Sequence, residues 1–255
     1  MQQFLDMFEN FEPKILAIDT STDVCSVALT HLGLIKEETV VAAREHTRRL
    51  LPMVASILSE SGLSFKDLDA IAVANGPGSF TGLRIGLSIA QGLAYGVDLP
   101  LIPVSTLGAM ANSVIRKGNL NNEHIIVPAI DARMNEIYWS AYQLSTTNES
   151  AIEESTKGAI QLIGEEKVSS PEACYQYCQS LNNDHVIAVG SGWRYAQSES
   201  RILFKTNAEF YSTAYDVAEL ALEALKKGQV IDPMYAQPTY LRNEITWQKR
   251  RRIRS

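Results

Sequence analysis

The chain has 255 residues, 45% of them hydrophobic and 20% charged, with a net charge of −6 at neutral pH. That is enough to bury one large core or two smaller ones, and the acidity excludes a general polyanion binder, so nucleic-acid contact has to be local or made through a partner. Three cysteines, Cys25, Cys174 and Cys178, make no disulfide framework and point to a reducing, cytoplasmic setting.

Residues 1–13 lack the basic start of a secretory signal and read as an extension, with Met7 as an alternative first residue. No apolar run approaches the ~20 residues of a membrane span. Ile15–Ile18 reads as a strand ending at Asp19, followed by the turn Thr20-Ser21-Thr22-Asp23. Strands at Cys25–Leu29 and Ile35–Val41 complete an antiparallel meander. In REHTRRLLPMVASILSESG, the residues Leu50, Met53, Val54, Ile57 and Leu58 share one face and Gly62 is a stop signal, so an amphipathic helix is expected, with Pro52 in its first turn or kinking it. His46, at its start, reads as a capping or surface residue.

Leu68–Ala74 reads as a fourth strand. GPGSFTGLRIG (76–86) then opens a helix running to about Gly96, and a short strand at Leu101–Ile102 precedes a helix capped by Ser105 and stopped by Gly118. The order β-β-β-α-β-α-β-α predicts a mixed sheet with helices packed on it. We expect a first lobe over residues 14–117 and a smaller second lobe over 118–255, joined by a hinge at GNLNNEH (118–124). The second half partly repeats the first. Strands at Ile125–Ile130 and Ile137–Tyr142 flank a turn over 131–136. After a polar stretch (145–157) come a strand near Ile160–Ile163, a helix capped by Ser170 with Pro171 at its first position, a strand at Val186–Val189, and a helix from Thr213 to Lys227.

The glycine-dense segment 76–86 invites comparison with phosphate loops, and both templates fail. A Walker-type loop needs lysine after its last glycine, and Leu83 follows Gly82. A dinucleotide fingerprint needs a third glycine where Thr81 stands. Gly78 and Ser79 remain candidates for weak anion contact at a helix start. In the helix itself Arg84, Ser88, Gln91 and Tyr95 form one narrow polar stripe, and the rest of the surface is apolar or small over an arc of roughly 220°, against the ~100° of a one-sided helix. Gly82, Gly86, Ala90 and Ala94 recur every fourth residue as a bare ridge. Interior glycine costs about 1 kcal/mol relative to alanine, so Gly86 and Gly92 require a reason, and close approach of another helix is the expected one. That helix belongs either to this chain or to another.

Catalytic constellations are sparse. His31, His46, His124 and His185 form no His-x-x-x-His or His-Glu-x-x-His pair, and no Gly-x-Ser-x-Gly elbow occurs. Asp19, Thr20 and Ser21 either coordinate a magnesium–phosphate group or form a hydrogen-bonded turn. Asp131 and Arg133 either bind a ligand or pair with each other. Cys174 and Cys178 read as a structural thiol pair. The tail Lys249-Arg250-Arg251-Arg252-Ile253-Arg254 either touches RNA phosphates or is a solvated end.

The segments ILAIDTSTDVCSVAL, REHTRRLLPM, NGPGSFTGLRIGLSIAQGLA, VSTL, IDARMNEIYW, VGSGW and YLRNEITW, in that order, resemble the TsaB (YeaZ) family from about Ile15 to Trp247. The resemblance implies a two-lobed α/β fold of the actin-like ATPase (ASKHA, ribonuclease H-like) type, each lobe a mixed sheet flanked by helices. It implies a role in bacterial threonylcarbamoyladenosine (t6A) synthesis on tRNA beside the anticodon, as the non-catalytic partner of the transferase TsaD, with the ATPase TsaE joining. TsaD holds a metal by a His-x-x-x-His pair; here Val104-Ser105-Thr106-Leu107 stands in that place. Members of the family also pair with themselves, through the helices that meet TsaD. Here those are Thr47–Glu60 and Ser79–Gly96, with Leu50, Met53, Val54, Ile57, Gly82, Leu83, Gly86, Leu87, Ala90 and Ala94 as the expected contact positions. No cofactor is firmly implied, and at most weak ATP or ADP with magnesium is expected at the lobe cleft or the partner interface. Ser21 stands where actin-like ATPases usually carry glycine, which obstructs backbone approach to phosphate. An independent ATPase or sugar-kinase-like enzyme is the alternative reading. A glycoprotease-like peptidase is a third.

Overall fold

The structure is a computed structural model and describes residues 12–41, 45–118, 120–145, 160–181, 184–195, 205–207 and 210–242. The N-terminal extension up to residue 11, most of the polar stretch and the basic tail lie outside these residues.

The first sheet comprises β1 (Ile15–Asp19), β2 (Val24–His31), β3 (Leu34–Val41), β4 (Ala70–Gly76) and β5 (Leu101–Ser105), in the order β3-β2-β1-β4-β5. Strands β1, β2 and β3 pair antiparallel, while β4 lies parallel to both β1 and β5. The second sheet comprises β6 (Ile125–Arg133), β7 (Glu136–Leu144), β8 (Ile160–Ser169), β9 (Val186–Val189) and β10 (Lys205–Asn207), in the order β10-β9-β6-β7-β8. Its pairings repeat the same senses: β6–β7 and β7–β8 antiparallel, β6–β9 and β9–β10 parallel. Matching β1 with β6, β4 with β9 and β5 with β10 superimposes one topology on the other. The repetition suspected from element order is therefore a duplicated sheet.

Among the described residues the α-helices are α1 (His46–Glu60), α2 (Phe80–Gly96), α3 (Thr106–Lys117), α4 (Pro171–Ser180) and α5 (Ala214–Lys226). Serine hydroxyls at the predicted caps accept the expected amide bonds, Ser105 from Gly108 and Ser170 from Ala173, and Ser79 likewise accepts from Gly82 at the start of α2.

Strand alternation divides the first sheet into two unlike faces. Leu16, Ile18, Ile71 and Val73 point toward α1 and α2 and share a core with Leu50, Met53, Val54, Ile57, Leu87 and Ala90. The opposite face carries Ile15, Ala17, Ala28, Ala70, Ala72 and Ala74. Such a shallow alanine surface lets a helix backbone come close, and α5 packs there through Ala214, Val217, Ala218 and Ala221. The sequence reading grouped this helix with the second half; its packing lies on the first sheet. Helix α3 goes the other way. Read as closing the first half, it lays Leu107, Met110, Ala111 and Val114 against Ile126, Ile130 and Tyr142 of the second sheet. Local patterning gives a helix its apolar face but not the sheet that will cover it.

Cys174 and Cys178 are buried on the far side of the second sheet beside Trp139 and Trp193. His46 differs from expectation. It is buried at the start of α1 with Nε2 3.0 Å from the Thr22 carbonyl oxygen, tying the helix to the β1–β2 turn.

Candidate functional site

In open α/β sheets, ligands gather at the carboxyl ends of parallel strands. Here those ends are Asp19 on β1, Gly76 on β4, Ser105 on β5, Arg133 on β6 and Val189 on β9, and the predicted polar residues cluster at them.

Asp19 is almost completely buried. One carboxylate oxygen accepts the Ser21 amide at 2.8 Å, and the other accepts the hydroxyl of Ser212, from the segment entering α5, at 2.9 Å. Burial pushes the carboxyl above its ordinary range, the Asp216 charge adds to that, and hydrogen bonding from Ser21 and Ser212 opposes it. The turn is also fastened to the start of α2. Ser79 donates its amide to the Ser21 carbonyl at 2.7 Å, and the Thr20 hydroxyl donates to the Gly82 carbonyl at 2.8 Å. The Gly82 amide in turn donates to the Ser79 hydroxyl at 3.3 Å, so the donors that a phosphate would need at Ser79 and Gly82 are engaged by the chain itself. Gly78 serves the same closeness, since a β-carbon there would lie 2.6 Å from the Ser21 carbonyl oxygen.

Asp131 and Arg133 do pair across the second-lobe turn, guanidinium to carboxylate at 3.2 Å, and Asp131 also accepts the Arg133 amide at 2.7 Å. Tyr195 donates its hydroxyl to Asp131 at 3.0 Å, and the Asp131 amide reaches the Ser191 hydroxyl at 3.1 Å. Arg133, Met134 and Asn135 all adopt left-handed backbone, with φ of 63°, 57° and 59°.

One cluster at the junction carried no signal in the sequence. Glu166 on β8 accepts hydrogen bonds from the Ser105 hydroxyl, which caps α3, and from the Tyr142 hydroxyl at 3.0 Å. Burial pushes its carboxyl above the ordinary 4.5, and those hydrogen bonds pull partly back. A carboxyl raised in the folded state contributes stability that is complete below the unfolded value of about 4.5 and is lost as pH rises through the raised value. Glu166→Gln removes that loss. Thermal scans are expected to show the variant gaining on the wild type between pH 4.5 and pH 8, and a constant difference across that range would contradict the assignment.

The bare ridge of α2 faces inward. A β-carbon on Gly82 would overlap the Thr20 carbonyl oxygen and one on Gly86 the Thr20 hydroxyl, whereas Gly92 meets nothing within 4 Å. Leu50, Met53, Val54, Ile57, Gly82, Leu83, Gly86, Leu87, Ala90 and Ala94 are all buried within the chain. The predicted contact positions are therefore this chain's own core, and the helix that the ridge was expected to admit is a strand-end turn. Gly82→Ala is expected to cost about 1–3 kcal/mol through overpacking, while Gly92→Ala gains up to about 1 kcal/mol. Urea unfolding of the two variants tests the contrast, and equal shifts would refute it.

What α1 and α2 leave outside is a different set. Thr47, Phe80, Thr81, Arg84, Ile85, Ser88 and Ile89 line an open, largely apolar groove of about 390 Å³. Phe80 and Tyr95 are 67% and 71% exposed. Gly92 adds a bare spot on this helix.

Among the described residues, no three His, Cys, Asp or Glu side chains gather to hold a metal, and no helix is long and apolar enough to cross a membrane.

Residues 39–253 match the family model described as TsaD, tRNA N6-adenosine threonylcarbamoyltransferase. The tRNA threonylcarbamoyladenosine biosynthesis protein TsaB of Escherichia coli K12 is 41% identical, over 92% of this chain and 97% of that protein. The TsaB protein of Haemophilus influenzae is 40% identical, over 92% and 96%. A Pseudomonas aeruginosa structure described as similar to peptidase YeaZ aligns with a TM-score of 0.78 at 35% identity, covering 90% of this chain and all of that one. Another, described as YeaZ from the same organism, aligns at 0.75 with the same identity and coverage. The duplicated sheets and these matches place the chain in the TsaB (YeaZ) family, with its two-lobed actin-like, ribonuclease H-like fold.

Proposed function

We propose that this chain takes part in forming threonylcarbamoyladenosine on tRNA as a non-catalytic subunit. It docks through the outer face of α1 and α2 onto a TsaD-type transferase, with a TsaE-type ATPase joining the assembly and tRNA met through the complex. In isolation the same face pairs two copies of the chain, so self-pairing and transferase binding exclude each other.

The observation that carries this reading is the state of Asp19. The carboxylate at the end of β1, placed like a phosphate-site ligand, is buried and holds the chain's own Ser21 amide and Ser212 hydroxyl. Two further observations support it: Ser79 and Gly82 spend their amides internally, and the exposed face of α2 keeps an apolar groove beside Gly92. The decisive experiment is threonylcarbamoyl transfer to tRNA by purified TsaD and TsaE, with and without this protein. Transfer should depend on its presence, while the protein alone should turn over neither ATP nor casein. Transfer indifferent to it would overturn the proposal.

A nucleotide at the cleft is the second reading. It draws on the Ser21 hydroxyl, which is buried beside Asp19 without a hydrogen-bond partner. Magnesium-dependent ATP hydrolysis by the protein alone separates the two readings: turnover that is abolished in Asp19→Asn favours the second, and no turnover favours the first.

A further inference from the structure

The segment that follows α5 has no regular periodicity, yet each part of it is fastened. Ile231 exchanges backbone hydrogen bonds with Leu101 on the edge strand β5, at 2.9 and 2.8 Å. The Gln91 side-chain amide, on α2, then donates to the carbonyls of Pro233 at 2.8 Å and Ala236 at 3.1 Å. The Thr239 amide donates to the Asn75 carbonyl at 2.8 Å, at the carboxyl end of β4. The Arg84 guanidinium lies 3.3 Å from the centre of the Phe80 ring and 5.3 Å from that of Tyr240, and it donates to the Tyr240 hydroxyl. Two residues later Arg242 leaves the first lobe altogether. Its guanidinium donates to Glu136 and, at 3.5 Å, to the Arg133 carbonyl of the second-lobe turn.

We infer that residues 231–242 form an inter-lobe strap, in which Tyr240 and Arg242 are positioning residues that make the first turn of α2 and the β6–β7 turn move together. Three backbone steps lead from Thr239, anchored at Asn75, to Arg242, a reach of at most about 11 Å, so little slack exists between the two fastenings. The strap also accounts for the turn it grips. Three successive non-glycine residues in left-handed conformation are costly, and this conformation sets the Arg133 carbonyl and the Glu136 carboxylate where one guanidinium takes both. Resting on the docking reading above, the consequence is that a partner seated on α2 fixes the second-lobe turn without touching it.

The test is hydrogen exchange on the full-length chain, alone and with purified transferase. In the chain alone, Arg242→Ala should speed exchange of the Thr239, Gly82 and Leu83 amides by roughly threefold, in keeping with one partly exposed ion pair. The Ile231–Leu101 pair should be unchanged, which separates release of the strap from general loosening. Glu136→Ala removes the same link should Arg242→Ala fail to fold, and the swap Arg242→Glu with Glu136→Arg should restore most of the protection. Exchange at Gly82 and Leu83 equal to the wild type in the single variants would overturn the strap, as would a swap that restores nothing. With transferase bound, the segment 131–136 should be protected in the wild type and not in Arg242→Ala. Binding that leaves this segment unaltered in the wild type would overturn the coupling. An absence of binding would refute the docking reading instead, and the measurements on the chain alone would still decide the strap.

Discussion

Arg116→Ala is expected to lower folding stability by about 3–5 kcal/mol, the loss typical when one partner of a buried ion pair is removed. The Asp216 side chain is fully buried, and its Oδ1 accepts from two guanidinium nitrogens of Arg116, at 2.8 and 3.2 Å. Its Oδ2 accepts the Thr213 amide at 3.1 Å, capping α5. The arginine itself is only 21% exposed and lies 4.1 Å above the Tyr215 ring. Truncation would leave a carboxylate without countercharge between α3, which packs on the second sheet, and α5, which packs on the first. Asp216→Asn combined with Arg116→Leu should cost less than Arg116→Ala, because it removes the charge together with its partner. Urea unfolding with an unchanged slope measures the effect, and a loss under about 1 kcal/mol for Arg116→Ala would contradict it.

The second large effect has opposite signs for folding and for function. Gly92→Arg places a side chain where nothing lies within 4 Å, and it replaces a poor helix former with a good one. Folding stability should rise by about 0.5–0.8 kcal/mol. If the exposed face of α2 meets the transferase, the same side chain stands in the contact, and affinity should fall at least about tenfold, or 1.4 kcal/mol. Calorimetric titration of the two purified proteins reads the affinity, and an unaltered dissociation constant would remove Gly92 from the interface. The inward-facing Gly82 and Gly86 cannot make this separation, because changes there act first on folding.

Much of this was legible in the amino acids. Serine caps at Ser105 and Ser170, the turn glycines and the strand alternation led directly to elements found in place, and the repeated strand order anticipated the duplicated sheet. The spacing of Gly82, Gly86, Ala90 and Ala94 correctly announced a close approach. It could not say that the approaching group is Thr20, by its carbonyl at Gly82 and its hydroxyl at Gly86, because helical periodicity defines an angular face and carries no information about what lies opposite. The same limit misplaced α5, whose alanine stripe fits the alanine face of β1 and β4, more than a hundred residues away. Glu166, Ser212 and Arg242 carried no local signal. Each matters through long-range hydrogen bonds, and an isolated polar residue in a strand or loop looks the same whether or not such partners exist.

We propose that this chain acts through a surface and not through its own chemistry, and the rate of threonylcarbamoyl transfer to tRNA in the reconstituted TsaD and TsaE system, supplemented in parallel with wild type, Gly92→Arg or Asp19→Asn, decides between the two. We expect Gly92→Arg to lose most of the stimulation while remaining folded, and Asp19→Asn to keep it. Loss with Asp19→Asn and retention with Gly92→Arg would mean that the cleft carries the function and the α2 face does not.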